Sequence, residues 1–372
     1  MPQELQKVHV FTDAPEAAFL KQFPGNDGRL DGFSFSFGLD VPKDCDALIA
    51  FNRASYTIAT TLPKARTAFI AAEPDAIHPY SARYLNQFGI VLSATDKPLG
   101  TRQWKTAPCW YWFAGIDFSK PWEIEHFRGY DYFSNLAPPP KRNKVSVVTS
   151  NKSFTEYHQK RIAFLDALIE KIPEHLEIYG RGHKSVDDKR LALEPCKYHI
   201  ALENSHGPDT WTEKLADPYL CWAYPFYAGA TNVEEYFPAL SFSYLDLDDP
   251  RQAAEQIVQA VQSGLWDRER NAIATARQTI LTEQNIAHQL VHLARDLTAQ
   301  PAGDRSNILY LKSERSLWPE KGARGSVGQW ALRNTLMLFD KGIELRTAGL
   351  RDRLDAAKTR RRQRKLRKLE NK

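Results

Sequence analysis

The segment CKYHIALENSHGPDTWTEKLADPYLCWAYPFYAGATNVEEYFP (196–238) concentrates the residue types that handle an anionic ligand. An apolar run ends in Glu203-Asn204-Ser205, a Gly/Pro turn follows, and Thr212-Glu213-Lys214 opens a helical pattern. Backbone N–H groups at such a helix start can receive a phosphate. Lys214 falls in the first turn, where the helix dipole does not favour a cation, so an anionic partner would explain it and a solvated lysine is the alternative. Far upstream, FIAAEPDAIHPY (69–80) reads as a buried strand ending at Glu73, then Pro74 and a helix start. Read alone, Glu73 there could simply satisfy backbone donors of that helix. Asp246 and Asp248 imitate a D-x-D metal motif but read more simply as a strand end and a cap for a helix near Pro250, so no metal site is expected. His183 and His206 are loop histidines that either touch phosphate or are polar surface.

The elements that must position these residues fall into two blocks. Short apolar runs at 7–14, 46–54, 65–74 and 89–96 are near-continuous and bounded by turn residues, the pattern of buried parallel strands. Aromatic residues crowd 104–133, either as core or as a wall for sugar rings, and LAPPPKRNK (136–144) is a linker. A second alternation follows. Strands are expected at 144–151, 175–182, 198–205, 224–230 and 242–249, with helices at 156–172, from about 212, and through 251–298. Two α/β blocks joined by a proline-rich linker predict two Rossmann-like layers with a ligand cleft at the carboxyl ends of the strands. The expected division is 1–138, 139–300, and a crossover with a basic helical tail over 301–372.

At these residues a resemblance becomes specific. ALENSHGPDTWTEK (201–214) resembles the signature of glycosyltransferase family 10, the α1,3/4-fucosyltransferases, in its bacterial form. YPFYAGATNVEEYFPALSFSYLDLDD (224–249), VVTSN (147–151) and KRIAFLDAL (160–168) are similar to the family's flanking strands and its Arg-bearing helix. The likeness covers about 144–295 well and the first half weakly. It implies a GT-B fold whose C-terminal half binds a GDP-sugar. Carried over, Arg161 and Lys214 neutralise the diphosphate, and Asn204 and Glu213 hold sugar or ribose hydroxyls. Glu203, Ser150 and Trp211 complete the donor set. Glu73 is the general base, and the nearby His78 and Tyr80 contact the acceptor. The position four before the Lys, usually aromatic, is Thr210 here, with Trp211 beside it as a replacement stacking surface. The implied reaction is inverting transfer of fucose, or a related deoxyhexose, from GDP-fucose to a surface-glycan hydroxyl such as that of a lipopolysaccharide. No cofactor is expected beyond that co-substrate. Two other functions stay open: transfer from a different nucleotide sugar, and non-catalytic binding of a sugar nucleotide or glycan.

Charge narrows the partners. The formal net charge of the 372 residues is +5, but residues 341–372 carry 13 Lys and Arg against 4 Asp and Glu, leaving −4 for the rest. Nucleic-acid binding by the globular part therefore has no support. The 329–372 tail, apolar on one side and then basic, would lie on an anionic membrane or pair with a second subunit, unless it is simply solvated. Four scattered cysteines without metal-like spacing read as reduced, the start MPQELQKVHV lacks a signal-peptide pattern, and no run approaches the ~18 apolar residues of a membrane span. The expected location is cytoplasmic, with peripheral attachment to the inner face of the membrane.

Overall fold

The computed structural model describes residues 4–52, 56–149, 156–180 and 183–317. The first half runs β1 (Gln6–Phe11), α1 (Glu16–Leu20), β2 (Arg29–Leu30), β3 (Phe33–Gly38), β4 (Ala47–Phe51), β5 (Ile58–Thr60), β6 (Thr67–Ile70), α2 (Ala82–Leu85), β7 (Ile90–Ser93), β8 (Arg102–Lys105) and α3 (Tyr130–Asn135). The second runs β9 (Arg142–Thr149), α4 (Glu156–Lys171), β10 (Leu176–Gly180), α5 (Arg190–Leu193), β11 (Cys196–Gly207), α6 (Glu213–Leu220), β12 (Tyr224–Ala230) and β13 (Ser243–Tyr244). Helices α7 (Pro250–Gln262), α8 (Leu265–Arg268), α9 (Arg270–Thr282) and α10 (Ile286–Thr298) come next, then β14 (Leu309–Leu311) and α11 (Glu314–Leu317).

The near-continuous apolar runs become strands buried on both faces: every residue of β4, β6, β7 and β12 is buried. The first sheet has the order β2-β3-β1-β4-β6-β7-β8, all parallel except β2 against β3. The second has the order β10-β9-β11-β12-β13 and is wholly parallel. Its order reverses between β9 and β11, and a doubly wound sheet opens its ligand crevice beyond the carboxyl ends at such a reversal. Two Rossmann-like layers are thus present. The strand β3 has no counterpart in the expected set because FSFSFG alternates apolar and polar, with only Phe33 and Phe35 buried.

The division between the halves differs from the expected one. Helix α10, placed by sequence in the second domain, packs on β2, β4 and β6 of the first sheet. Its C-terminal end is held there by Arg66, which donates to Thr298 O (3.2 Å) and Gln300 O (2.8 Å). Helical periodicity shows which face is apolar but not which sheet that face will cover. The return to the first half happens at Asn285, fully buried, which caps α10 through His288 N (3.0 Å) and donates to Ile280 O and Leu281 O. One turn on, Gln289 accepts from Cys109 N (2.9 Å) and donates to Ala107 O (3.0 Å), joining the two stretches where the chain passes between halves. Beyond α10, β14 pairs antiparallel with β5, again on the first half. Residues 318–372, including the basic tail, lie outside the described residues.

Buried polar groups cluster where the halves meet, and two backbone donors of the first half cross to carboxylates of the second. Lys21, 0% exposed, donates to Ala114 O at 2.7 Å. Phe113 N and Gly115 N donate to Asp217 and Asp188 of the second half (3.1 and 2.9 Å), and Lys189 pairs with Asp217 at 2.8 Å. Burial pushes the Lys21 ammonium down to about 7, against the pull of Asp217 and Asp188. The unfolded chain therefore holds more protons than the folded one between about pH 7 and the ordinary lysine value, and this group's contribution to stability rises with pH across that window. In Lys21→Met the contribution is gone. Thermal melts from pH 7 to 9 are expected to show wild type gaining on Lys21→Met as pH rises; parallel curves would contradict this.

Candidate active site

The carboxyl end of β11 leaves its ladder early. Pairing with β12 is regular to Leu202 and shifts before Gly207, so the carbonyls at this end need other donors. Arg161, on α4 and 6% exposed, supplies them through Nη1, which donates to Glu203 O (3.0 Å), Leu202 O (3.4 Å) and Asn204 Oδ1. Burial lowers the Arg161 pKa from its ordinary value, with Glu203 opposing.

The Glu203 side chain turns inward. Fully buried, it accepts from Thr212 N (2.8 Å) and Thr212 Oγ1 (2.7 Å), which fixes the start of α6. Lys214 Nζ then lies 3.0 Å from Glu213 Oε1 and 3.6 Å from Glu203 Oε2. Burial raises the Glu203 carboxyl above its usual range. For Glu213 burial acts in the same sense, but Lys214 and Lys189 outweigh it and hold the carboxyl low. Burial also opposes charge on Lys214, yet Glu213 and Glu203 prevail and keep its ammonium above the ordinary lysine range. The group is an ionised Lys–Glu pair beside a carboxylate whose charge is poorly accommodated.

Close approach makes this possible. A Cβ on Gly229 of β12 would meet Glu203 Cγ at 2.3 Å and Tyr227 Oη at 2.6 Å. Gly229→Ala must therefore displace Glu203 and with it the Thr212–Lys214 turn. Overpacking of this kind costs about 1–3 kcal/mol. A melt should show that loss together with weaker nucleoside-diphosphate binding by calorimetry; unchanged binding would show that Glu203 does not support the site.

Two cavities meet here. The larger, about 690 Å³, is lined by Thr149 at the end of β9, Gly180 at the end of β10, Arg161, Glu203–Ser205 and Thr212–Lys214. This is the crevice that the strand order of the second sheet calls for. Its opposite wall is Trp110, Phe113 and Phe118 from the first half, together with Glu73. The smaller, about 400 Å³, is lined by Glu73–Ala76, Tyr80, Ser93–Lys97 and Ser205–Pro208. Glu73, Pro74 and Ser205 line both. Charge in the smaller cavity is mostly paired, Asp75 with Lys97 at 3.1 Å and Asp96 with Lys105.

Glu73, Arg161, Asn204, Glu203, Glu213 and Lys214 thus come together, but Glu203 spends its carboxylate on Thr212 and Lys214 and is a support of the site. No α-helix starts at Pro74: its carbonyl closes a turn by accepting from Ile77 N and His78 N, and α2 begins only at Ala82. Glu73 therefore has no helix to cap. Trp211 is not a stacking surface for a ligand in the larger cavity. It is 2% exposed and packs on Phe237 (5.2 Å) and Tyr236 (5.7 Å), drawn in by a turn pinned where Asp209, at φ 57°, is bonded to Asn232. His78 lines neither cavity and is paired with Glu314 at 2.9 Å. Tyr80 does line the smaller one, although it is 2% exposed and its hydroxyl donates to Asn52 Oδ1 (2.8 Å). Ser150 lies outside the described residues.

Several lining residues carry no sequence signal of their own. Lys189 and His199 sit in ordinary contexts, and His199, which burial takes well below the usual imidazole value, is bonded to Ser146 Oγ (2.8 Å). The aromatic cluster was visible, but not its sorting: Trp112, Phe127 and Phe133 are core, whereas Trp110, Phe113 and Phe118 face the cavity. Asp246 and Asp248 lie in the turn ahead of α7, where Asp248 pairs with Lys160 and the cap is Asp249. Among the described residues, Glu123, Glu125 and His126 bring ligand atoms within 4.8 Å of one another, away from either cavity lining. No helix among the described residues is long and apolar enough to cross a membrane.

Residues 138–263 match the model for glycosyltransferase family 10 (fucosyltransferase), C-terminal part. A putative fucosyltransferase-like protein of Arabidopsis thaliana is 31% identical over 121 residues, 32% of this chain and 23% of that one. The 4-galactosyl-N-acetylglucosaminide 3-alpha-L-fucosyltransferase 9 of Mus musculus is 32% identical over 125 residues, 32% of this chain and 33% of that one. The chain thus spans about a quarter to a third of the length of these curated relatives. A crystal structure of an alpha1,3-fucosyltransferase with GDP-fucose superposes with a TM-score of 0.49 at 14% identity, covering 82% of this chain and 94% of that one. The family match takes in β9 to α7, hence Arg161, Asn204, Glu213 and Lys214, and leaves out Glu73.

Proposed function

From the match of residues 138–263 to the glycosyltransferase family 10 model, we propose that the chain is an inverting transferase moving fucose, or a related deoxyhexose, from its GDP form to a glycan hydroxyl. The observation that carries this reading is the position of Glu73, where a cavity bearing the Arg161–Lys214 cations meets a second one of about 400 Å³. The donor lies in the larger cavity with its diphosphate at Lys214, Arg161 and the N-terminal end of α6. Asn204 and Glu213 hold donor hydroxyls. The acceptor enters the smaller cavity and presents a hydroxyl to Glu73. Glu73 takes the proton as the acceptor oxygen bonds to the anomeric carbon, and the bond from that carbon to the diphosphate breaks with its electron pair on the leaving group. Cations already in place meet the charge that develops there. One displacement inverts the anomeric centre.

A second reading keeps the transferase and changes the sugar. Thr210 spends its hydroxyl on Gly207 O (2.7 Å) and Trp211 is buried, so neither supplies the aromatic surface the family pattern leads one to expect at 210. A thermal-shift panel of GDP, UDP, CMP and their sugar conjugates decides between the two. Ligands that bind only the native state raise the melting temperature with their affinity. Selective stabilisation by GDP and GDP-fucose is expected; selectivity for another nucleotide sugar favours the second reading, and no response to any would overturn both.

A further inference from the structure

Glu73 belongs to no strand or helix, yet its backbone is held from both sides. The ladder of the first sheet ends just before it, with Asn52 N donating to Ile70 O (2.8 Å) and Ala71 N to Leu92 O (2.9 Å). On the far side is Pro74, which confines the preceding residue to extended conformations. On the near side the carbonyl of Ala72 accepts from Trp110 Nε1 at 2.8 Å. That carbonyl is part of the planar Ala72–Glu73 peptide, so fixing its direction fixes the plane from which the Glu73 side chain departs. The indole is itself immobilised edge-on by Phe51 (5.7 Å, 84°) and Tyr111 (5.8 Å, 70°), and it lines the larger cavity beside Glu73.

We propose that Trp110 is the positioning residue for Glu73: its indole N–H orients the Ala72–Glu73 peptide and so aims the carboxylate at the acceptor hydroxyl. Trp110 touches no reacting atom in this role; it acts through Glu73, and the inference rests on Glu73 being the base. Small misplacements of a reacting group cost up to about 100-fold in rate. Trp110→Phe keeps a ring against Phe51 and removes the donor. It is expected to lower kcat by about 10- to 100-fold with the Kd for GDP little changed, and to cause no further loss when placed in Glu73→Gln. Should Trp110→Phe fail to fold, 3-benzothienylalanine at position 110 keeps the indole shape, replaces N–H with sulfur, and carries the same expectation. Losses that multiply in the double variant, or a loss of GDP affinity equal to the loss in kcat, overturn the inference. A slow Glu73→Gln beside a fully active Trp110→Phe also overturns it and leaves the base assignment standing. Near-normal turnover by Glu73→Gln removes the base assignment and the inference together.

Discussion

Glu73→Gln is expected to lower turnover by about 10²- to 10⁴-fold, the usual contribution of a positioned base, while GDP affinity stays within about twofold of wild type. The separation follows from where the side chain stands. Glu73 shares the wall of the larger cavity, but Arg161, Lys214 and the start of α6, the groups proposed to meet the diphosphate, all come from the other half. The amide matches the carboxylate in size and still bonds a hydroxyl, so both cavities keep their shape and only proton acceptance is lost. Steady-state rates paired with calorimetry of GDP binding test this. A variant that transfers at close to the wild-type rate would falsify the role of Glu73.

Lys214→Ala is expected to act on folding, binding and chemistry at once. Lys214 lies against Glu203, which is fully buried, and Glu213, which is 7% exposed. Removing it leaves Glu203 without its nearest cation, while Glu213 retains Lys189 nearby. Breaking a buried pair from one side costs about 3–5 kcal/mol. Nucleotide affinity should fall at least about tenfold and turnover about 100-fold or more, since a fixed cation is lost where leaving-group charge develops. Adding Glu203→Gln separates these effects. The amide still accepts from Thr212, carries no charge to strand, and should recover much of the melting temperature. Turnover should stay low in the double variant. Its recovery along with stability would make Lys214 a structural counter-ion only.

The second half was the more readable in sequence because its candidate residues follow the end of one strand directly. Residues 201–214 lie on one strand, one turn and one helix start, so reading them in order gave much of one wall of the larger cavity. The direction of individual side chains was not legible. Nothing local says that Glu203 points inward while Asn204 faces the cavity, or that Trp211 is pulled into the core; those outcomes depend on Gly229, Asn232 and Phe237, some 20 to 30 positions away. In the first half the opposite held: the strand before Glu73 was clear, but the bond that fixes Ala72 comes from Trp110, and the partner that occupies His78 comes from Glu314. Both are long-range pairings, and composition and periodicity are blind to them.

The return of α10 to the first sheet sets where this chain can be recombined. On the proposed function, a segment exchanged with a sugar-nucleotide transferase to change donor preference should run from about residue 138 to 283, with the second joint between α9 and Asn285. Joining at 300 instead would import a foreign helix against β2, β4 and β6 and discard Gln289, the residue that holds Ala107 and Cys109 where the chain first leaves that sheet. The interchangeable cassette is therefore shorter than the helical run in the sequence suggests, and its boundary falls on one buried asparagine.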